Sequence, residues 1–319
     1  MDKAVRRHAI REWGIFAAFL ALMAALAVVS GGNSISPRNL VLVVKQASIN
    51  GILAMGMMFV IISGGIDLSV GSILAVSGVA AAMFAHPGEY HLAVPILAAM
   101  GVGLAMGVMN GVIVAFGGLP PFIATLGMLT MGRGLALILS RGVPIYDISR
   151  PFENLAGGFF PSADFPYRVP ILAVYFAAAV AAGAFILAKT VYGRHVYAVG
   201  GNEMSARVSG INVAGVKLSV YAISGLLAGI AGLLLASRIV SGNPNSGSGY
   251  ELDAIAAVTI GGVSLSGGAG RWHGAMVGTL FIAVMGNGLD LLGMPSNLQL
   301  VIKGAIIIAA VFYDIRAKG

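Results

Sequence analysis

Long apolar runs, broken only by short charged or glycine- and proline-rich segments, govern what this chain can fold into. They fall at about 13–30, 46–62, 70–86, 92–116, 121–140, 169–188, 218–238, 252–265, 273–292 and 298–313. A helical span through a bilayer needs about 20 apolar residues, so ten spans take about 200. In a chain of 319 residues that leaves room for loops and none for a separate soluble enzyme domain. Only 10% of residues are charged, against about 25% in soluble domains. The runs are continuous, not alternating, which excludes an outer-membrane barrel. The expectation is one all-α integral membrane domain over 1–319, with about ten transmembrane helices, some broken by glycine. The third and eighth runs are short and glycine-rich, so each is either a broken span or a re-entrant segment.

Charge placement sets the orientation. Lys3, Arg6, Arg7 and Arg11 precede the first run, which reads as an uncleaved first helix. Ten crossings from a cytoplasmic start place eleven Lys and Arg inside and five outside, with Lys45, Arg133 and Lys303 within spans. Both termini are therefore expected in the cytoplasm. The formal charge of +7 fits this inward bias better than it fits nucleic acid. The chain has no cysteine and five scattered histidines. That excludes disulfides and thiolate chemistry, and no histidine pair has metal-ligand spacing. Nothing resembles a catalytic set. Leu265-Ser266-Gly267-Gly268 looks like an ATPase signature, but no G-x-x-x-x-G-K-[ST] loop accompanies it. Any ATPase must be another chain.

Two loops stand out. The outer segment 141–168 carries four prolines and charges of both signs. A loop this long faces a partner or covers helix ends as a lid. The inner segment 189–217, centred on 191–215, contains a short capped helix. Asn202 suits its N-cap, Glu203 its first turn, Glu203 and Arg207 an i,i+4 pair, and Gly210 its end. Too short to be stable alone, it must pack on the chain's own spans or on a partner.

Membrane-embedded polar groups cost about 2.5–3.5 kcal/mol per charge on insertion scales, so each needs a reason. Lys45 and Lys303 read as snorkelling from span ends. Asp67, Ser69 and Ser72 sit in a glycine-rich hinge and either cap the next helix or border a path. Arg133 is expected to face protein or water; Asp253 and Asp290 also lie in or beside spans. Asn110, Asn287 and Gln299 add neutral hydrogen-bonding groups, which suit an uncharged polyhydroxylated solute. Gly103 and Gly107, Gly225 and Gly229, and Gly274 and Gly278 have the small-xxx-small spacing of close helix contacts. Gly64–Gly71 echoes Gly261–Gly268, as an internal repeat or as two independent hinges.

The stretch Ile61-Ile62-Ser63-Gly64-Gly65-Ile66-Asp67-Leu68-Ser69-Val70-Gly71 resembles the hallmark of bacterial ABC importer permeases for monosaccharides, of the ribose permease type, within the wider branched-chain amino-acid and sugar permease family. Further blocks follow in order: Gly118 to Gly127, Gly200 to Asn212, Tyr250 to Ala257 with Gly261 to Gly268, and Asn287-Gly288-Leu289. The resemblance covers about residues 38–313. It implies a permease subunit of the bacterial inner membrane that pairs with a second permease subunit, most simply a second copy. Two cytoplasmic ATPase subunits use the ATP, and a periplasmic sugar-binding protein delivers the solute. It implies no cofactor in this chain and no nucleic-acid partner. On this reading Asp67, Ser69, Asn110, Thr125 and Asn287 border the translocation path. Asn202, Glu203, Met204, Ala206 and Arg207 couple to the ATPase, with small Ala206 allowing its close approach. Arg141, Asp147, Arg150, Glu153, Asp164 and Arg168 receive the binding protein. The rival readings are an ion-coupled secondary sugar transporter, with Asp67 or Asp290 as its ion site, and a passive channel.

Overall fold

The computed structural model describes residues 3–160 and 169–316, and within these each apolar run is one helix. In chain order these are α1 (Lys3–Val29), α2 (Pro37–Ile62), α3 (Val70–Met83), α4 (Ala93–Ala115) and α5 (Pro121–Leu139). After the short α6 (Arg150–Gly157) come α7 (Ile171–Lys189), α8 (Val191–Gly201), α9 (Glu203–Val208) and α10 (Val213–Ile239). The last are α11 (Tyr250–Ile260), α12 (Trp272–Leu291) and α13 (Ser296–Arg316). An antiparallel pair, β1 (Phe159–Phe160) and β2 (Val169–Pro170), brackets residues 161–168. Asp164 and Arg168 lie outside the described residues.

Among the described residues, six helices, α2, α4, α5, α7, α10 and α12, are long and apolar enough to cross a membrane. The third and eighth runs differ. With 14 and 11 residues, α3 and α11 are about 21 and 17 Å long at 1.5 Å per residue. Neither helix alone spans a hydrocarbon core of about 30 Å.

Connecting segments gather at the two ends of α10, whose 27 residues hold them about 40 Å apart. Near its start, the Gly268 amide donates to the Ile62 carbonyl at 2.9 Å, and Gly200 lies against both. Near its end, Ile145 bridges Gly242 and the Ser149 amide donates to the Ala85 carbonyl at 2.8 Å.

Packing radiates from α10, which lies against α4, α3 and α2. The glycine spacings now have partners. A Cβ on Gly103 would stand 2.5 Å from the Gly225 carbonyl and 2.7 Å from the Gly229 Cα. Thus the pairs in α4 and α10 pack on each other, while Gly274 and Gly278 of α12 pack on Gly261 and Ala257 of α11. Side chains of that size removed, backbones touch, as close packing in lipid requires. The second half of α2 and nearly all of α3 are enclosed by protein on every side. That shelter allows Ser48, Asn50, Ser72 and Ser77 to sit in helices of such apolar content.

The internal echo is also a structural one, displaced by one residue. In α2 the amides of Gly64 and Gly65 donate to the carbonyls of Ile61 and Val60. In α11 those of Gly262 and Val263 donate to Thr259 and Val258. Both are Schellman ends with a left-handed glycine, Gly64 at φ +85° and Gly262 at +87°. Gly64 therefore matches Gly262, not Gly261 as the sequence echo aligns them.

Candidate functional site

The segment between α2 and α3 is held by a buried polar network. Asp67 is 0% exposed. Its carboxylate accepts from the Ser69 amide at 3.0 Å, the Ser69 hydroxyl at 2.5 Å and the Ser224 hydroxyl of α10 at 2.8 Å. All three donors are neutral serine groups. Asn110 of α4 donates to the Ser69 oxygen at 2.8 Å. Thr125 of α5 donates mainly to the Pro121 carbonyl at 2.9 Å, with a longer contact of 3.4 Å to Ile66 O. Tyr221 donates to the same Ile66 carbonyl at 3.3 Å. The structure so brings Asp67, Ser69, Asn110 and Thr125 together around one bend, all fully buried within the protomer. Ser224 and Tyr221 complete it. A lone serine in a glycine-rich helix offers no signal in sequence, and neither does a tyrosine inside an apolar run.

Asn287 stands apart. It exchanges two amide hydrogen bonds with Asn39, at 2.7 and 2.9 Å, tying α12 to the start of α2. The two lysines read as snorkelling have partners instead. Lys303 of α13 pairs with Asp253 of α11 at 2.9 Å, and the Lys45 ammonium lies 4.9 Å from the Phe159 ring centre. A fixed carboxylate or ring face near a span end gives a lysine a nearer partner than the interface. Arg133 faces protein as expected, donating at 2.6 Å to the Ser246 carbonyl. Glu251 lies against Gly71, so the hallmark's last glycine makes room for a carboxylate 180 residues on.

At the opposite end of α10 from the 240s loop, α9 forms as its sequence prescribes. The Asn202 side chain caps it by accepting from the Ser205 amide at 2.8 Å. Arg207 reaches Glu203 at 3.4 Å, and Gly210 takes φ +81°. The stronger partner of Glu203 is Lys217 of α10, at 2.7 Å. Lys217 and then Arg207 hold the Glu203 carboxyl below the ordinary glutamate range. Ala206, at 4% exposure, packs into this chain's own core and seats α9 on the bundle. The outward face carries Met204, 70% exposed, and Val208, 82% exposed. These are four apart and so share one side, a spacing that could have revealed Val208 in the sequence. Behind α9, Gly200 packs on the Ile62 carbonyl and Gly267 on Gly64, so α8 is wedged between the two glycine hinges.

In the 141–160 segment, Arg141, Asp147 and Arg150 are exposed and Glu153 is partly so. Arg141 and Asp147 adopt positive φ, 54° and 63°. The α6 helix is clamped to α10 through Ser237, whose hydroxyl donates to the Phe152 carbonyl at 2.7 Å and accepts from the Ala156 amide at 2.9 Å. The loop's charges thus stand on an anchored base.

Residues 39–311 match the family profile described as branched-chain amino acid transport system / permease component. The chain is 41% identical over 314 residues to the ribose import permease protein RbsC of Escherichia coli (strain K12), covering 97% of this chain and 96% of that one. It is 42% identical over 301 residues to RbsC of Bacillus subtilis (strain 168), covering 93% and 91%. It is 34% identical over 359 residues to the xylose transport system permease protein XylH of Escherichia coli (strain K12), covering 95% and 91%. No solved structure matches.

Proposed function

Because the chain belongs to the branched-chain amino acid transport system / permease component family, we propose that it is the membrane subunit of an ATP-driven importer for a monosaccharide such as ribose. The observation that carries this is the near full-length identity to ribose import permeases, with xylose permeases close behind. On this reading the chain is a transport component of the bacterial inner membrane and not an enzyme; it crosses ten times and both ends lie in the cytoplasm. It pairs with a second copy around the solute path. Separate ATPase subunits dock on α9 through Met204 and Val208, and a sugar-binding protein docks on the 141–160 side.

Within this scheme Asp67, Ser69, Asn110 and Thr125 shape the wall of the path. Their full burial supports a role in fixing the bend between α2 and α3 while the lumen lies beyond it. The same burial weighs against the ion-coupled reading, since Asp67 offers a passing cation no open oxygen.

The test is reconstitution in proteoliposomes. Uptake of D-ribose should require ATP, the ATPase and the binding protein together. Uptake by this chain alone, down a proton or sodium gradient or without any energy source, would overturn the reading.

A further inference from the structure

The junction behind α9 forms a half-open cavity of about 350 Å³. Small-ligand pockets run from about 300 to 1,000 Å³, so this one has room for a single small molecule. Its wall brings together Ser63 of the first hinge, Ser266 of the second, Asn202 and Glu203 of α9, and Lys217 and Tyr221 of α10. Its two charged groups, Glu203 and Lys217, neutralise each other at 2.7 Å. What remains is a set of hydroxyl, amide and glycine backbone groups beside the apolar Val114, Pro121 and Val199. Such a mixed lining is matched to an uncharged, polyhydroxylated ligand, with hydroxyls to bond and C–H faces to pack, and poorly to an anion.

We propose that this cavity is a product site: free monosaccharide on the α9 side of the membrane binds there and slows the transport cycle. The inference rests on the proposed function for the sidedness and the solute. The physical argument is the cavity's position. Its walls belong to α9, to α10 and to both glycine hinges, so movement of α9 relative to the hinges must change its shape. A ligand that fits one shape better shifts the population toward it, by as much as its affinities for the two differ. The site binds weakly, because solute that has crossed must also leave. Accumulated sugar therefore restrains its own import.

The chain has no cysteine, so a single introduced thiol reports cleanly. The Ser266→Cys variant places one in the cavity wall, and Met204→Cys places one on the outward face of α9. The permease in nanodiscs would be alkylated with a maleimide in D-ribose or in sucrose at equal osmolality. Ribose should slow labelling of Ser266→Cys about threefold at about twice its dissociation constant, and leave Met204→Cys unchanged. In the wild-type complex with its ATPase, without binding protein, the same ribose should lower ATP hydrolysis in parallel. Equal labelling of Ser266→Cys in both sugars, or equal protection of both variants, overturns the site. Protection without slower hydrolysis overturns the regulation. If the complete complex imports ribose while Ser266→Cys is unprotected, the product site fails and the proposed function stands; if it imports no ribose at all, the function itself fails.

Discussion

Asp67 shows what a single carboxylate needs in order to stay inside a membrane protein. Hydrogen bonds between membrane helices are worth about 0.6 kcal/mol on average and up to about 1.7 kcal/mol. Ser224→Ala, which removes the one donor from another helix, should cost about 1 kcal/mol. The loss is read as a lower midpoint of thermal unfolding for the solubilised permease. Glu203 makes the opposite case, a carboxylate outside the spans. Its folded pKa is depressed by Lys217 and Arg207, so its pairing stabilises α9 above the ordinary glutamate pKa of about 4.3 and is lost only as pH falls below that. Labelling of Met204→Cys should therefore be flat from neutral pH down to about 5, once corrected for maleimide reactivity. The side-chain roles legible in sequence were those with local partners: the Asn202 cap and the Glu203–Arg207 pair. Ser224, Lys217 and Asn39 find their partners 157, 14 and 248 residues away, and no spacing rule reaches that far.

Among the helices, α4 offers a comparison within one element. Nothing lies within 4 Å of a Cβ built on Gly101, whereas one on Gly103 meets the backbone of α10. Gly101→Ala should be neutral or stabilising by up to about 1 kcal/mol, the helix-propensity difference. Gly103→Ala should lower the unfolding midpoint, because neither backbone can yield to the methyl group. The helix α9 gives a second contrast. Ala206→Glu forces a charge into the seat of α9 and should abolish coupling: the permease inserts, but substrate no longer drives ATP hydrolysis and uptake stops. Met204→Ala should leave the fold intact and weaken ATPase binding, measured by co-purification. Retained uptake in Ala206→Glu would remove the coupling role from α9. Existence of the long helices was legible from apolar runs alone, but α1 and α2 begin well before their runs, at Lys3 and Pro37. The half-length of α3 and α11 was visible only as a choice between crossing and re-entry, since the segments that flank them are irregular backbone without periodicity.

For the whole molecule, contacts at the ends of α10 divide the chain into two functional faces. One holds α9, the hinges and the cavity; the other holds α6 and the exposed Arg141, Asp147 and Arg150. Charges on such a face steer a soluble partner more than they add affinity. Reversing Arg141 and Arg150 together should slow association of the binding protein, most clearly at low ionic strength, where the Debye length exceeds about 10 Å. Stopped-flow rates that match the wild type at every salt concentration would leave the loop only as a lid.

The seam between α4 and α10 has a thermodynamic consequence of its own. A helix contact made by side chains freezes rotamers, at a cost of up to about 2 kcal/mol for the longest. Gly103, Gly107, Gly225 and Gly229 have no rotamers to lose. The seam forms without that entropic cost and has no alternative packing into which it can slip. Where these glycines meet, backbone touches backbone, so any relative movement of the two helices would have to part backbone from backbone and could not be absorbed by a change of rotamer.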